Sequence, residues 1–177
     1  MITLKPVELE WINGPEDDPE DQCAHAKVDF KINDTVFISP ADESWTVSAT
    51  ALYLLRTLEN DSDSESTVAE RNSIFACCGI NPWIAEEKFD VMIIGCNAGI
   101  DVNVVHSGDK VTIQRSDGKK EIIQFEEWRN SVFNFATAIK SYYSNSLPKS
   151  KIEDEFDRNG WARFWDEFNS RLNRSAK

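Results

Sequence analysis

The sequence predicts an α+β fold in which an antiparallel meander sheet is packed by about three helices, within a single domain over residues 1–177. Short apolar or alternating segments between residues 88 and 125 are separated by the turn signals Ser107-Gly108-Asp109 and Asp117-Gly118, which is typical of antiparallel strands. These connections are too short for the crossovers that parallel strands need. Three other segments carry apolar residues at helical spacing.

The first third of the chain predicts a hairpin followed by a central helix. Residues 2–12 have an extended pattern, and residues 26–38 alternate along two strands joined by a tight turn at Asn33-Asp34. Residues 43–60 predict a helix with Ser44 or Thr46 as its N-cap. Apolar residues cover so much of its circumference that we expect this helix to be central in the fold.

The middle of the chain predicts most of the sheet. Residues 73–80 predict a strand that ends at Asn81-Pro82-Trp83, because proline lacks an amide donor. The first two strands of the meander form a hairpin through residues 97–100, where Gly95 and Gly99 are expected to allow positive φ at a turn or bulge. The four predicted strands of the meander span residues 88–96, 100–106, 110–115 and 121–125.

The last third of the chain predicts two amphipathic helices, over residues 125–146 and 160–174. Burying each aromatic side chain is worth roughly 2–3 kcal/mol, so we expect the last helix to dock firmly. The apolar stripe of the first helix consists of Trp128, Val132, Phe135, Ile139 and Tyr142. The stripe of the second consists of Trp161, Phe164, Trp165, Phe168 and Leu172.

Negative charge is concentrated in the first part of the chain. Residues 1–70 contain 4 Lys/Arg against 16 Asp/Glu, which accounts for the whole net charge of −12. This imbalance predicts a basic protein partner and disfavours nucleic acid and anionic lipid. The alternative is that the acidic side chains serve solubility alone.

Two acidic loops, at about residues 13–22 and 59–72, are the candidate binding segments. Turn-forming and polar residues predict that both loops are exposed, and we expect the second to bury little. If the fold brings the loops together, they form an anionic patch that steers a basic partner. The predicted partner-binding residues are Glu16, Asp17, Asp18, Glu20, Asp21, Asp61, Asp63 and Glu65. The aromatic residues Trp11, Trp83 and Tyr143 could anchor such an interface.

Several other classes of function are disfavoured. The chain has no apolar run of about 18 residues and its first residues do not resemble a secretory signal, so we expect a cytoplasmic protein with no membrane partner. No phosphate-binding glycine motif or cofactor is predicted. The spacings Cys23-x-His25, Cys77-Cys78 and the single Cys96 do not match structural zinc sites, so no metal is expected.

A thiol hydrolase that uses Cys96 is an alternative interpretation. Cys96, Asp101 and His106 are the residue types of an activated thiol nucleophile and lie within eleven residues. In a simple hairpin through residues 97–100, however, Cys96 lies beside the turn and His106 lies several residues along the strand. At about 3.3 Å per residue that separation is too large for a hydrogen bond, so we expect no catalytic residues.

A set of segments resembles small cytosolic bacterial immunity proteins of polymorphic, contact-delivered toxin systems. These segments are ATALYLLRTLEND, FACCG, MIIGCNAGIDVNVVH, VFNFATAIKSYY and GWARFWDEF, within roughly residues 45–172. The resemblance implies a protein that is not an enzyme and that neutralises a cognate toxin domain by stoichiometric docking. It is compatible with a toxin that has a basic surface. A further alternative is an acidic adaptor or DNA mimic that docks on a DNA-binding protein.

Overall fold

The computed structural model describes residues 1–77, 80–85, 88–96 and 98–176, and it confirms the predicted α+β class with three helices and antiparallel sheets. The elements, in chain order, are β1 (Ile2–Glu10), β2 (His25–Ile32), β3 (Thr35–Ile38), β4 (Trp45–Thr46), α1 (Val47–Arg56), β5 (Phe75–Ala76), β6 (Ile80–Ile84), β7 (Val91–Gly95), β8 (Gly99–Ile100), β9 (Val102–Ser107), β10 (Lys110–Arg115), β11 (Lys120–Gln124), α2 (Phe125–Asn145) and α3 (Glu155–Ser175).

The N-terminal sheet contains the predicted hairpin. β2 pairs antiparallel with β1, β3 and β4, and the alternating pattern of β2 buries Val28, Phe30 and Ile32 on one face. The tight turn lies between Ile32 and Thr35 as predicted, and Asn33 adopts a positive φ of 52°, which asparagine tolerates better than most residues. This sheet packs against α2 and supports the start of α1.

The meander has three strands, and the predicted hairpin through residues 97–100 is wrong. β9, β10 and β11 form the meander, whereas β7 pairs with β6 and β8 pairs with β5. Gly99 allows this arrangement, because it has a φ of 145° and a Cβ at this position would lie 2.3 Å from the carbonyl oxygen of Phe75. The glycine therefore permits a close approach to β5 instead of a turn back along β7.

The prediction that a strand ends at Asn81-Pro82-Trp83 is wrong, because these three residues lie within β6. β6 and β7 form a two-stranded antiparallel ribbon in which Pro82 is opposite Ile93. Proline is tolerated because β6 is an edge strand of this ribbon. α3 packs directly on the backbone of β6 through Gly160.

Helix α1 is central, as predicted, and all ten of its residues are buried. Thr46 is the N-cap residue, but its side chain makes no capping hydrogen bond. The carbonyl oxygen of Ala24 accepts from the amides of Val47 and Ser48 at 2.9 and 3.4 Å, and so satisfies the donors that a side-chain cap would serve.

The two C-terminal helices present the predicted stripes to one hydrophobic core. Trp128, Val132, Phe135 and Ile139 of α2 are buried, and Tyr142 is half-buried against the same core. α3 begins five residues earlier than predicted, where the Asp154 carboxylate accepts from the amide of Asp157 at 3.0 Å. None of the helices in the described part of the chain combines the length and apolar character needed to cross a bilayer.

The second acidic loop is more buried than predicted. Val68 and Ala69 are fully buried, and Ser62 forms a two-way backbone bridge with Val104 of β9. The polar composition of residues 59–72 gives no sign of these contacts, because each contact is made by a single small or apolar residue between acidic neighbours.

A buried ion pair joins α1, α3 and the ribbon. The Arg56 guanidinium donates from Nε and Nη2 to the two oxygens of Glu167 at 2.8 and 2.9 Å, and both side chains are almost fully buried. Arg56 also donates to the carbonyls of Val68 and Val91, while Glu167 accepts from the amide of Val91 at 3.1 Å. Arg171 adds a further bond to Glu167 at 2.8 Å.

We expect Gly160→Ala to lower stability by about 1–3 kcal/mol, in contrast to the gain of about 1 kcal/mol usual for this change within a helix. The reason is that a Cβ at position 160 would lie 1.7 Å from the carbonyl oxygen of Pro82. Urea unfolding monitored by tryptophan fluorescence measures the change. Asn159→Ala, at the exposed neighbouring position, is the control and should change little. Equal stability of Gly160→Ala and the wild type would contradict the close packing of α3 on β6.

We expect Glu167→Gln to lower stability by about 3–5 kcal/mol, because it leaves the buried Arg56 charge with only the more distant carboxylate of Glu70, 3.5 Å away, as its counter-charge. Burial tends to raise the pKa of Glu167, but hydrogen bonds and charge attraction from Arg56 and Arg171 outweigh it, and the pKa is lowered below the usual 4.5. The stabilisation is therefore present above about pH 4.5 and is lost as the pH falls through the folded-state pKa.

Urea titrations at several pH values between 3 and 7 test this second prediction. Glu59→Gln is the control, since Glu59 pairs with Arg171 and Arg174 from a position where its side chain is 42% exposed. Its replacement should cost about 1 kcal/mol or less. A similar cost for both variants would show that the buried pair has no special role.

Candidate functional site

A cleft of about 380 Å³ lies between the segment that leads into β2 and the β6–β7 ribbon. Its charged and imidazole groups come from the first segment, and the ribbon supplies Asn81 and most of the apolar wall. We call it the Asp21 cleft. The lining residues are Ile12, Asp21, Cys23, His25, Ile80, Asn81, Ile94, Gly95 and Cys96.

Asp21 and His25 are the buried polar side chains of the Asp21 cleft. Only 9% of the Asp21 side chain and 10% of the His25 side chain are exposed, and Asp21 Oδ2 lies 3.9 Å from His25 Nδ1. The Asp21 oxygens accept from the amides of Ile12 at 2.6 Å and Cys23 at 2.8 Å. These two backbone bonds hold the carboxylate in place at the wall of the cleft.

His25 is held in its neutral form. Burial lowers its pKa below the usual 6.5, and the carboxylates of Asp21 and Glu10, together with a hydrogen bond from the ring to the Cys23 backbone, oppose this shift only in part. Its Nδ1 is buried and has no hydrogen-bond partner among the described residues. The cleft therefore presents a carboxylate and a neutral imidazole nitrogen side by side.

The outward face of the β6–β7 ribbon is apolar and adjoins the Asp21 cleft. Alternation along the ribbon places Trp83 opposite Met92 and Asn81 opposite Ile94 on this face. Trp83, Met92 and Ile94 are each at least 36% exposed, and Phe156 of α3 packs edge-on against Trp83 with ring centroids 5.4 Å apart. We call these four residues the ribbon patch. Contiguous exposed apolar side chains of this kind mark interaction surfaces.

The three aromatic residues predicted as possible anchors differ in their exposure, and only Trp83 belongs to the ribbon patch. Trp11 is fully buried beneath Tyr142 and Tyr143. The Tyr143 hydroxyl donates to the Gln22 carbonyl and accepts from the Ala24 amide. Trp83 alone among the three is exposed enough to contact a partner.

The first acidic loop is tied to the connection between α2 and α3. Asp17 accepts from the amide of Leu147, Glu20 accepts from the Ser150 hydroxyl, and the Lys149 ammonium donates to the Asp18 carbonyl at 2.6 Å. The Asp18 carboxylate accepts from Asn13 Nδ2 at 2.8 Å and from the Glu20 amide at 3.0 Å. Glu16 is exposed, and its side chain makes no hydrogen bond with any of the described residues.

The second acidic loop is tied to a different element. Asp61 accepts from both the amide and Nδ1 of His106 on β9, at 2.8 and 2.9 Å. Asp63 accepts from the amides of Glu65 and Ser66 and so forms a local turn. Glu65 is exposed, with its carboxylate directed to solvent. The two loops therefore have separate anchoring points, at the α2–α3 connection and at β9.

The three residues of the alternative thiol-hydrolase interpretation each have other partners. His106 is bound to Asp61, Asp101 accepts from the Ile74 amide at 3.1 Å, and Cys96 Sγ accepts from the Ala98 amide at 3.3 Å. Cys96 lies in the Asp21 cleft near Cys23, where burial raises the pKa of the Cys23 thiol to about 12. Cys23 is therefore protonated at neutral pH and is a poor nucleophile.

The sequence predicts Asp21 as a binding residue but carries no signal for the Asp21 cleft. The Cys23-x-His25 spacing does not match a zinc motif, and within the described ranges no three His, Cys, Asp or Glu residues are arranged to hold a metal ion. An extended chain that leads into β2 places residues two apart, such as Cys23 and His25, on one side. The ribbon that closes the cleft has no local signal. Cys78, which follows Cys77, lies outside the described residues.

No family model matches this chain, and no similar protein was found among curated proteins or solved structures. The functional interpretation therefore rests on the chain's own residues and geometry.

We expect the pKa of His25 to lie below 6.5 and to fall further in Asp21→Asn, because the carboxylate is the main group that stabilises the protonated ring. Two-dimensional NMR of the imidazole measures both values across a pH titration. Glu10→Gln should lower the pKa by a smaller amount, and Glu16→Gln should leave it unchanged. A wild-type value at or above 6.5 would contradict the buried, neutral state. The neutral ring stabilises the fold above about pH 6.5, and this contribution is lost as the pH falls.

Proposed function

We propose that this protein is an immunity protein that binds a cognate toxin domain with a basic surface and neutralises it by stoichiometric docking. The single observation that supports this most is the position of the ribbon patch. It adjoins a cleft whose other wall includes Asp21 of the first acidic loop. An apolar patch beside a carboxylate suits a partner that carries positive charge.

The two parts of this surface have different physical roles. The ribbon patch supplies the affinity, because buried aromatic and aliphatic anchors carry most of the binding energy of an interface. The acidic loops supply long-range attraction, because 16 Asp/Glu against 4 Lys/Arg in residues 1–70 create a negative field. We therefore propose fast association that slows as salt is added, with dissociation controlled by Trp83 and its neighbours.

The predicted partner-binding acids divide into two groups under this proposal. Glu16 and Glu65 are exposed and free of internal hydrogen bonds, so they are the acids most available to a partner. The other six, Asp17, Asp18, Glu20, Asp21, Asp61 and Asp63, also hold their own loops in place. The second group contributes charge to the field, but its replacement also perturbs the loops.

An acidic adaptor or DNA mimic is the second candidate function, and the observation that favours it is the same negative field. Such a protein would use its charge on a DNA-binding partner. The two proposals differ in the identity of the partner and in whether binding removes a toxic activity.

We expect Trp83→Ala to weaken binding to a cognate toxin domain, sought among the genes that neighbour this protein's own, by about 30-fold or more, because it removes the central aromatic anchor. Isothermal titration calorimetry with the purified domain, and growth protection on co-expression, are the measurements. The matched control is Ile122→Ala, since Ile122 is 59% exposed on β11, in a different sheet. Urea unfolding verifies that both variants are folded.

Two outcomes would overturn this proposal. One is that the neighbouring toxin domain neither binds the wild-type protein nor is neutralised by it. The other is that Trp83→Ala and Ile122→Ala have the same effect on affinity, because the ribbon patch then has no special part in docking. A DNA-binding protein recovered as the specific partner would favour the adaptor function.

A further inference from the structure

Resting on the proposed function, we infer that the Asp21 cleft receives the side chain of one arginine from the partner protein. The guanidinium would lie between Asp21 and His25, and its aliphatic stem would lie along the isoleucine wall. This inference names the chemical group that the surface recognises. The docking proposal alone does not require it.

Asp21 is a buried carboxylate that no lysine or arginine of the described residues contacts directly. Its side chain is 9% exposed, and among the described residues its ion-pair contacts reach only the imidazole of His25. The amides of Ile12 and Cys23 use one acceptor position on each oxygen, which leaves the others open. A buried anion is costly unless it is paired, so this site favours a cation.

Lys149, whose charge acts on Asp21, is already bound elsewhere. Its ammonium reaches Asp21 only at longer range, since it donates to the Asp18 carbonyl at 2.6 Å and lies 3.0 Å from the centre of the Trp11 ring. Moving it to Asp21 would break both contacts. The site is therefore open to a directly bound cation from another molecule.

His25 supplies the second acceptor. Its ring is neutral at neutral pH, and its buried Nδ1 has no partner among the described residues and accepts a hydrogen bond when the proton is on Nε2. The 3.9 Å between Nδ1 and Asp21 Oδ2 accommodates one nitrogen at about 2.9 Å from each atom. A terminal nitrogen of guanidinium carries two N–H bonds and can serve both acceptors.

The walls of the cleft suit an arginine stem. Ile12, Ile80 and Ile94 form apolar surface beside the two acceptors, within a volume of about 380 Å³. Long basic side chains bury their methylene groups on such surface while the charged head is hydrogen-bonded. Guanidinium is more weakly hydrated than ammonium, so arginine is better suited than lysine to a partly closed site.

The other chemical classes of ligand fit less well. An anion would be repelled by Asp21 and by Glu10, whose carboxylate also acts on His25. A metal ion would need three ligands converging on one point, and none of the His, Cys, Asp and Glu groupings in the described part of the chain provides them.

The test is an NMR titration of the full-length protein with N-acetyl-L-arginine amide, compared with N-acetyl-L-citrulline amide, which has the same shape without the charge. We expect saturable shifts of the His25 ring and of the Ile12 and Ile94 methyl groups with the arginine probe. The citrulline probe should bind at least about tenfold more weakly than the arginine probe. Equal responses to the two probes, or no response at His25 to the arginine probe, would overturn the inference.

A variant pair locates the binding to Asp21. Asp21→Asn should lose the selectivity for arginine over citrulline, whereas Glu16→Gln, in the same loop and exposed, should keep it. The NMR spectrum of Asp21→Asn shows whether its fold is intact, and the comparison of the two probes on the wild type decides the matter if it is not. Retention of selectivity in a folded Asp21→Asn would overturn the inference.

The outcomes separate this inference from the proposed function. If the toxin domain binds and Trp83→Ala weakens it, but the arginine probe does not bind, docking stands and the arginine site fails. If the arginine probe binds selectively but no toxin domain is neutralised, the site stands and the immunity function fails.

Discussion

The buried pair of Arg56 and Glu167 is the interaction on which the arrangement of this protein depends. Its partners belong to α1, α3, the second acidic loop and the first residue of β7, so one cluster joins segments that are distant in sequence. Two charges are expensive to bury, and they are stable here because the guanidinium and the carboxylate use all their hydrogen-bonding positions. A cluster that is complete only in one geometry also determines where the ribbon lies.

The ribbon patch follows from that constraint. The inner side of the β6–β7 ribbon is held by Val91 through the ion pair, by the Ile93 carbonyl through Asn72, and by the close packing of Gly160 on Pro82. With the inner side secured, the outer side carries exposed apolar residues without a structural need for them. A rigid surface loses little conformational entropy on binding, which is the physical advantage of a pre-organised interface.

The carboxylates of the acidic loops both create a negative field and hold the loops in place through hydrogen bonds. The concentration of negative charge was evident from the sequence, and it supports a basic partner as a proposal. Yet Asp17 and Glu20 attach the first loop to the α2–α3 connection, Asp61 attaches the second to β9, and Asp63 forms a turn. The sequence does not distinguish the acids that hold the loops from those that face solvent, because both groups are Asp and Glu residues of the same two loops.

Local patterns in the sequence are enough to predict the α+β class, the N-terminal hairpin, the central α1 and the buried stripes of α2 and α3. These features depend on periodicity within one segment. The pairing of β7 with β6 and of β8 with β5, and the position of Pro82 within a strand, depend on contacts that exist only in the folded chain. Pairing between short strands depends on which backbones can approach each other, as Gly99 allows between β8 and β5. The position of the ribbon depends on the packing of Gly160 of α3 against β6, and on an ion pair between residues more than one hundred positions apart. The Asp21 cleft is a product of those same long-range contacts, so the sequence showed its acid but not its shape.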